Sequence, residues 1–107
     1  MKYNIVKKVS LKIYCDNTDI HSNKPLWEYI LNKAKDLKLK GATVYKAVAG
    51  IGSTNTIHRF DLLSLSNSMP LVIEIIDDKD KIDFFLDSIY IDIKDTYITI
   101  SNIEVLE

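Results

Sequence analysis

The order in which two kinds of hydrophobic periodicity follow one another constrains the fold of this chain more than any other feature. Apolar residues alternate with polar ones, or form short continuous runs, as β-strands do, in four segments: 9–15, 42–49, 71–76 and 96–106. They recur every three or four positions, as in amphipathic helices, in two segments: 25–41 and 77–93. The predicted order is therefore strand, helix, strand, strand, helix, strand.

This order is typical of the split βαβ, or ferredoxin-like, arrangement. We predict an α+β fold, a βαββαβ sandwich in which two helices cover one face of a four-stranded antiparallel sheet. No repeat and no linker-like Pro, Gly or Ser stretch divides the 107 residues, so we expect a single domain spanning residues 1–107.

The ends of the predicted elements follow from local signals. Pro25 suits the first turn of the first helix, and Gly41 suits its carboxyl-terminal stop. Asp77 and Asp78 suit the N-cap of the second helix. In the last strand the alternation changes phase at Ser101-Asn102, which predicts a β-bulge there.

The sheet face that the helices leave open predicts association of subunits. Bulky residues fall on both candidate faces, with one set at Leu11, Ile13 and Val44 and the other at Val9, Tyr45 and Ile73. A chain of this length has no third layer to cover a second apolar face, so we expect copies of the chain to pack through it.

Composition excludes several classes of protein. The formal net charge of -1 argues against a general nucleic-acid or membrane-surface binder, because both depend on positive charge. No apolar run is long enough to cross a bilayer and no signal peptide is recognisable, so we expect a cytoplasmic protein without direct membrane insertion. The single cysteine, Cys15, ends an apolar strand and is interpreted as a small buried hydrophobe.

The small net charge conceals an asymmetry between the two halves of the chain. Residues 1–59 carry ten Lys and one Arg against four acids, whereas residues 60–107 carry three Lys against eleven acids. The two helices should therefore have opposite character. We expect complementary packing within or between subunits, visible as salt-sensitive stability or assembly.

The segment 51–69 is long for a connection between two strands, which favours a functional arm or binding loop. We predict ligand-binding roles for residues at its base and within it: Gly50, Gly52, Ser53, His58 and Arg59. The glycines permit close backbone approach and positive φ, and neighbouring N–H and hydroxyl groups could bind an anion together with the imidazole and the guanidinium. The pattern matches neither a P-loop nor a Rossmann fingerprint, and a flexible polar turn is the alternative.

Neither a catalytic centre nor a metal site can be assembled from the remaining residues. His21 lies in a polar connection and is interpreted as a solvated surface residue, since the two histidines form no metal-binding motif. No nucleophile, base and orienting group occur together, so we predict no catalytic residues, no metal ligands and no cofactor.

Short segments along nearly the whole chain, in this order and spacing, resemble a known family. They are Lys24-Pro25-Leu26-Trp27-Glu28, Gly41-Ala42-Thr43-Val44, Gly50-Ile51-Gly52-Ser53 with Ile57-His58, Leu65-Ser66, Met69-Pro70-Leu71-Val72-Ile73-Glu74-Ile75, Lys81-Ile82 and Phe85-Leu86. The sequence resembles the uncharacterised bacterial and archaeal PII-like proteins grouped as domain of unknown function 190.

The resemblance implies a regulatory or sensing module rather than an enzyme. It implies a homotrimer that binds a small anionic ligand or a nucleotide in clefts between subunits, near the base of the long loop, and acts by presenting that loop to a partner. This chain differs from the family pattern at Ile51, where an aromatic is common, and at Asp87, where Pro is common. Of the basic residues typical of nucleotide-binding PII proteins near the end of the second helix, only Lys94 is present.

Two further hypotheses remain open. One is a small enzyme or metal-binding protein that assembles His58, Cys15 or Asp61 between subunits. The other is an accessory regulator of a membrane transporter, because members of the family that the sequence resembles are often encoded beside fluoride exporters.

Overall fold

The computed structural model describes residues 2–51 and 68–107, together with the backbone of residues 57–59. The elements in chain order are β1 Ile5–Asp16, β2 Ile20–His21, β3 Lys24–Pro25, α1 Leu26–Asp36, β4 Gly41–Lys46, β5 Ala49–Ile51, β6 Ile57–Arg59, β7 Pro70–Asp77, α2 Lys79–Ile93 and β8 Tyr97–Leu106.

The main sheet confirms the predicted topology. Within the described residues its four strands lie in the order β4-β7-β1-β8, and every neighbouring pair is antiparallel. Strands β2 and β3 form one short hairpin, and β5 and β6 form another. The α+β, ferredoxin-like arrangement predicted from the sequence is therefore present.

The hydrophobic core lies between one face of this sheet and the two helices. Side chains from β1, β7, α1 and α2 form a single buried cluster: Val9, Leu11, Ile13, Cys15, Leu26, Ile30, Ala34, Leu71, Ile73, Ile75, Ile82, Phe85, Ile89 and Ile93. These are the positions at strand spacing in the strands and at helical spacing in the helices, so the same periodicities that predicted the elements also place their buried faces.

The last strand contains no bulge, and the prediction at Ser101-Asn102 is wrong. Strand β8 pairs with β1 in an uninterrupted register from Ile5↔Leu106 to Tyr14↔Tyr97. Ile98 lies on the helix-covered face and contacts the core, whereas Asn102 on that face is exposed. Beyond the helices, the half-buried apolar residues Ile103 and Val105 lie on the opposite face. The hydrophobic pattern changes phase because the covered face ends, not because the strand does.

Helix α1 ends before the predicted stop. Its last turn closes with a Schellman motif in which Lys38 N–H donates to Lys35 O and Leu39 N–H donates to Ala34 O, both at 3.0 Å. Lys38 has the left-handed φ of 60° that this motif requires. Gly41 is therefore the first residue of β4 and not the helix stop, and Pro25 precedes the helix as its N-cap.

The two aspartates before α2 have different roles. Asp78 is the N-cap by position, but its carboxylate accepts a hydrogen bond from Lys8 Nζ rather than from the helix backbone. Asp77 is buried, and its carboxylate accepts the N–H groups of Lys40 at 2.8 Å and Asp78 at 2.7 Å. Asp77 thus joins the end of β7 to the chain segment between α1 and β4.

The open face of the sheet differs from its prediction. Residues paired across an antiparallel ladder share a face, so Val9, Leu11 and Ile13 all lie under the helices, together with Val44 and Ile73. Of the bulky residues assigned to a second apolar face, only Tyr45 lies on the open side. That side has a polar centre, where Glu74 accepts hydrogen bonds from Ser10 Oγ at 3.0 Å and from the Tyr45 hydroxyl at 3.3 Å.

Candidate functional site

A cavity of about 660 Å³ lies at the end of the sheet where β1 ends and β7 begins. Ala47 and strand β5 border it on one side, and the loop between α2 and β8 borders it on the other. Its walls combine apolar and aromatic side chains, among them Tyr14, Ile51 and Tyr97, with several carboxylates. A concave site with a few polar groups on rigid elements is the usual form of a small-molecule site.

Hydrogen bonds between distant parts of the chain fix the segments that carry the lining residues Asp16, Asp19 and Pro70. Asn17 N–H donates to Met69 O at 3.0 Å, and Met69 N–H donates in return to Asn17 Oδ1 at 2.8 Å. Asp16 N–H donates to Asp19 Oδ2 at 2.9 Å, which closes the turn after β1. The end of β1 is therefore tied to the chain that enters β7.

Gly50 lines the cavity, and its lack of a side chain has a steric reason. A Cβ at this position would lie 3.0 Å from Cγ of Pro70, closer than such contacts normally are. Among the glycines that the structure describes, none has the positive φ that the sequence analysis expected. Gly50 is therefore needed for close approach to Pro70, which seats β5 against the first residue of β7.

The other predicted site residues belong to the arm that starts at β5. The predicted strand 42–49 is divided in the structure. Strand β4 ends at Lys46, Ala47 N–H still donates to Pro70 O at 2.9 Å, and the chain then leaves the main sheet as β5. In the β5–β6 ladder the backbone of His58 pairs with Gly50 and that of Arg59 with Ala49. Strand β5 lines the cavity and β6 is its neighbour in this ladder, while Gly52 and Ser53 lie outside the described residues.

Four carboxylates that sequence reasoning did not single out line the cavity: Asp16, Asp19, Asp92 and Asp95. No Lys or Arg is present among the lining residues that the structure describes. The only sequence signal was that these acids follow the end of a strand or lie near the end of a helix. Because their convergence depends on how the sheet and α2 end together, it is not visible in any local pattern.

His21 is not the solvated surface residue expected from the sequence. Its imidazole is about a quarter exposed and stacks on the ring of Tyr29, with ring centroids 3.9 Å apart. The Tyr29 hydroxyl donates to Asp92 Oδ2 at 2.7 Å, and His21 Nδ1 lies 4.0 Å from Asp92 Oδ1. The hydrogen bond to this carboxylate, together with burial, raises the pKa of Tyr29 to about 12. The cluster links β2, α1 and α2 beside the cavity.

Cys15 is a buried core residue, as predicted, although it also lies at the cavity wall. Burial, assisted by the nearby Asp19 and Asp16 carboxylates, raises the pKa of its thiol to about 12. The thiolate is the reactive form of cysteine, so this environment disfavours a nucleophilic or metal-ligating role for Cys15.

The described residues offer neither a metal-binding cluster nor a membrane span. No group of three or more His, Cys, Asp or Glu side chains is arranged to hold a metal ion in the part of the chain that is described. In the same part, no helix is both long and apolar enough to span a membrane.

Solved structures similar to this one are PII-like proteins. A structure of CPII from Thiomonas intermedia K12, bound to ADP and bicarbonate, superposes with a TM-score of 0.70 at 14% identity, covering 95% of this chain and 91% of that one. A putative PII-like signaling protein from Thermus thermophilus gives a TM-score of 0.62 at 13% identity, covering 97% of this chain and 92% of that one. At these identities the likeness shows that the fold is PII-like.

Sequence relatives cover most of the chain. A UPF0166 protein from Aquifex aeolicus is 42% identical over 85 residues, which are 79% of this chain and 81% of the relative. A UPF0166 protein from Methanocaldococcus jannaschii is 31% identical over 86 residues, 80% of this chain and 79% of the relative. The model of domain of unknown function 190, described as an uncharacterized ACR, matches residues 8–105. The chain therefore belongs to this uncharacterised PII-like family, as its sequence motifs indicated.

Proposed function

We propose that this protein is a PII-like regulatory module that senses a small anionic ligand or a nucleotide. The observation that carries the proposal is the cavity of about 660 Å³ at the base of the β5–β6 hairpin. The similar structure from Thiomonas intermedia holds ADP and bicarbonate, so the fold is compatible with such ligands. A ligand in this cavity would contact Gly50 and Ile51 at the base of the arm, and would thereby bias the position of the arm.

The active form in this proposal is a homotrimer that associates through the open face of the sheet. Half-buried apolar residues lie to one side of the polar centre of that face: Val6, Ile76, Ile103 and Val105. Such a group of half-buried apolar side chains suits the apolar part of an interface between subunits, and the hydrogen-bonded polar group beside it needs no further partner there.

A trimer could also supply the positive charge that the cavity of one copy lacks. Its described lining holds four aspartates and no Lys or Arg, so the positive charge for an anionic ligand must come from elsewhere. The arm carries Arg59, and the amino-terminal half of the chain carries most of the lysines. In the proposed assembly, the arm and a neighbouring copy complete the site around the cavity of the first.

The protein acts in this proposal by presenting the arm 51–69 to a partner in the cytoplasm, with a membrane transporter as one such partner, and without catalysis or a cofactor. The alternative of an enzyme or metal centre that uses Cys15 is disfavoured by the burial and raised pKa of its thiol.

Calorimetric titration of the full chain with ADP, ATP and bicarbonate tests the ligand. We expect saturable binding of at least one of them, lost in Gly52→Val and weakened about tenfold or more in Arg59→Ala. Lys35→Ala, which removes an exposed positive charge from α1, is the matched control and should bind normally. Native mass measurement tests the assembly, and a monomer at micromolar concentration would contradict the intersubunit site.

A further inference from the structure

Helix α2 carries two large apolar side chains on the face turned away from the core. Phe84 is 64% exposed and Ile91 is 70% exposed. They are seven residues apart, so they lie on one line along the helix, two turns from each other. The buried side of the same helix is formed by a separate stripe: Ile82, Phe85, Ile89 and Ile93. Folding of one copy therefore leaves this outer line uncovered.

Carboxylates alternate with the two apolar residues along that line. Asp80 precedes Phe84 by four residues, and Asp87 follows it by three, with Ile91 four residues further on. Both aspartates are exposed. The spacing of four, three and four places all four side chains on one seam, as the a and d positions of a heptad do. The outer face of α2 is therefore an apolar and acidic seam made of Asp80, Phe84, Asp87 and Ile91.

We propose that this seam binds an amphipathic helix of a partner protein, in which an apolar stripe is flanked by Lys or Arg. Apolar residues of such a helix would bury Phe84 and Ile91, and its basic residues would pair with Asp80 and Asp87. Association through interleaved seams is the ordinary geometry of two packed helices. The proposal concerns the opposite side of α2 from the core and does not depend on the ligand of the cavity.

Charge complementarity selects this occupant over two others. An anionic lipid surface would be repelled by Asp80 and Asp87. In a second copy of the chain, helix α1 offers basic residues such as Lys35, but its exposed positions are polar: Asn32, Lys35 and Asp36. A second copy therefore offers no helix face that is both basic and apolar, so we assign the seam to a helix of a different protein.

The test uses a fluorescent helical peptide of about three heptads with Leu at the seam positions and Lys beside them. We expect saturable binding to the full chain by fluorescence anisotropy, weakened by added salt. Ile91→Ser and Asp87→Lys should each weaken it about tenfold. Leu106→Ser removes an apolar side chain that is 62% exposed on β8 and should leave binding unchanged. Circular dichroism confirms that each variant is folded.

Four results would overturn the proposal. The first is the absence of saturable binding up to about 1 mM peptide, and the second is equal binding of a peptide with Glu in place of every Lys. The third is binding of the protein to phosphatidylserine vesicles that Ile91→Ser abolishes, which would assign the seam to a lipid surface. The fourth is a change of native mass in Ile91→Ser, which would assign it to contact between copies.

Discussion

The two faces of the main sheet are built from the same four strands, yet they differ in almost every physical respect. On the helix-covered face, Leu11, Ile13 and Ile73 are fully buried and no polar side chain interrupts them at the centre. On the open face, the centre is a hydrogen-bonded group formed by Ser10, Glu74 and Tyr45. The helices of the same chain cover one face. On the other face the central polar groups bond to one another, and the apolar side chains beside them are only half-buried.

We therefore expect the covered face to determine the stability of one copy and the open face to determine how copies associate. Burial of apolar side chains under the helices supplies the main driving force for folding one copy. The open face contributes less to that folding, because its apolar side chains are only half-buried and its centre is polar. Substitutions on the covered face should therefore change the free energy of unfolding, and substitutions on the open face should change the native mass.

The largest effect is expected at the covered face. Phe85 is fully buried, and Phe85→Ala should lower the free energy of unfolding by about 3–5 kcal/mol, because it removes buried apolar surface and leaves a cavity. Urea denaturation monitored by circular dichroism measures the change. The adjacent Phe84 is the matched control, since it is 64% exposed and Phe84→Ala should change stability by no more than about 0.5 kcal/mol. Similar losses in both variants would contradict the assigned orientation of α2.

The second largest effect on the free energy of unfolding is expected at Asp77, the last residue of β7. Asp77→Ala leaves the N–H groups of Lys40 and Asp78 without their acceptor and should cost about 1–3 kcal/mol of unfolding free energy. Asp80→Ala, in the first turn of the same helix, changes an exposed carboxylate and serves as the control. If the two variants unfold at the same urea concentration, the link between β7 and the end of α1 is unimportant for stability.

A smaller effect should appear at alkaline pH, again on the helix side. Tyr29 has its pKa raised from 10.0 to about 12, and Cys15 has its pKa raised from 9.0 to about 12. A raised pKa means that the folded state holds the proton more tightly. The resulting stability is therefore complete below pH 9 for the thiol and below pH 10 for the phenol, and is lost as the pH rises through about 12.

Urea midpoints measured across this alkaline range test the expectation. Tyr29→Phe should remove the part of the loss that begins near pH 10, and Cys15→Ala the part that begins near pH 9. Tyr97→Phe, which alters an exposed tyrosine on the open face, is the control. If Tyr97→Phe changes the pH dependence of stability as strongly as Tyr29→Phe does, the hydrogen bond between Tyr29 and Asp92 is not the cause of that dependence.

The smallest effect on folding is expected at the rim of the open face. Ile103 lies opposite Lys8 in the ladder between β1 and β8, so a carboxylate at position 103 would stand beside an ammonium group. Ile103→Glu should change the unfolding free energy of one copy by no more than about 0.5 kcal/mol. In the proposed trimer, however, it would bury a charge, so native mass should fall to that of a monomer. An unchanged trimer would place the interface elsewhere.

Local patterns in the sequence were sufficient for the framework because covered strands and helices must repeat their apolar residues with fixed periods. The helical spacing of Ile82, Phe85 and Ile89 indicates both the helix and its buried side. The alternation in the first strand indicates the strand, although Val9 is buried on the same face as Leu11 and Ile13 and not on the other face as predicted. Such patterns fail where coverage ends. The change of phase after Ile100 predicts a bulge, but β8 continues in register without one. The phase changes because no helix covers that part of the sheet.

The candidate site was predicted less completely. The glycines predict a site at the base of the arm, and Gly50 lines the cavity that we propose as that site. The reason for that glycine, contact with Pro70, depends on two segments that are twenty residues apart in the sequence. The aspartates of the cavity and the cluster of His21, Tyr29 and Asp92 also come from distant elements, and no spacing rule relates them.

The sequence by itself determined the order of the main strands and helices, the buried stripe of each helix and the family, because periodicity and motif spacing are local properties of the chain. Only the tertiary structure decided which residues meet at the cavity, where each helix stops and what the open face presents. These depend on contacts between segments far apart in the chain, where geometry and desolvation, rather than local propensity, select the neighbours.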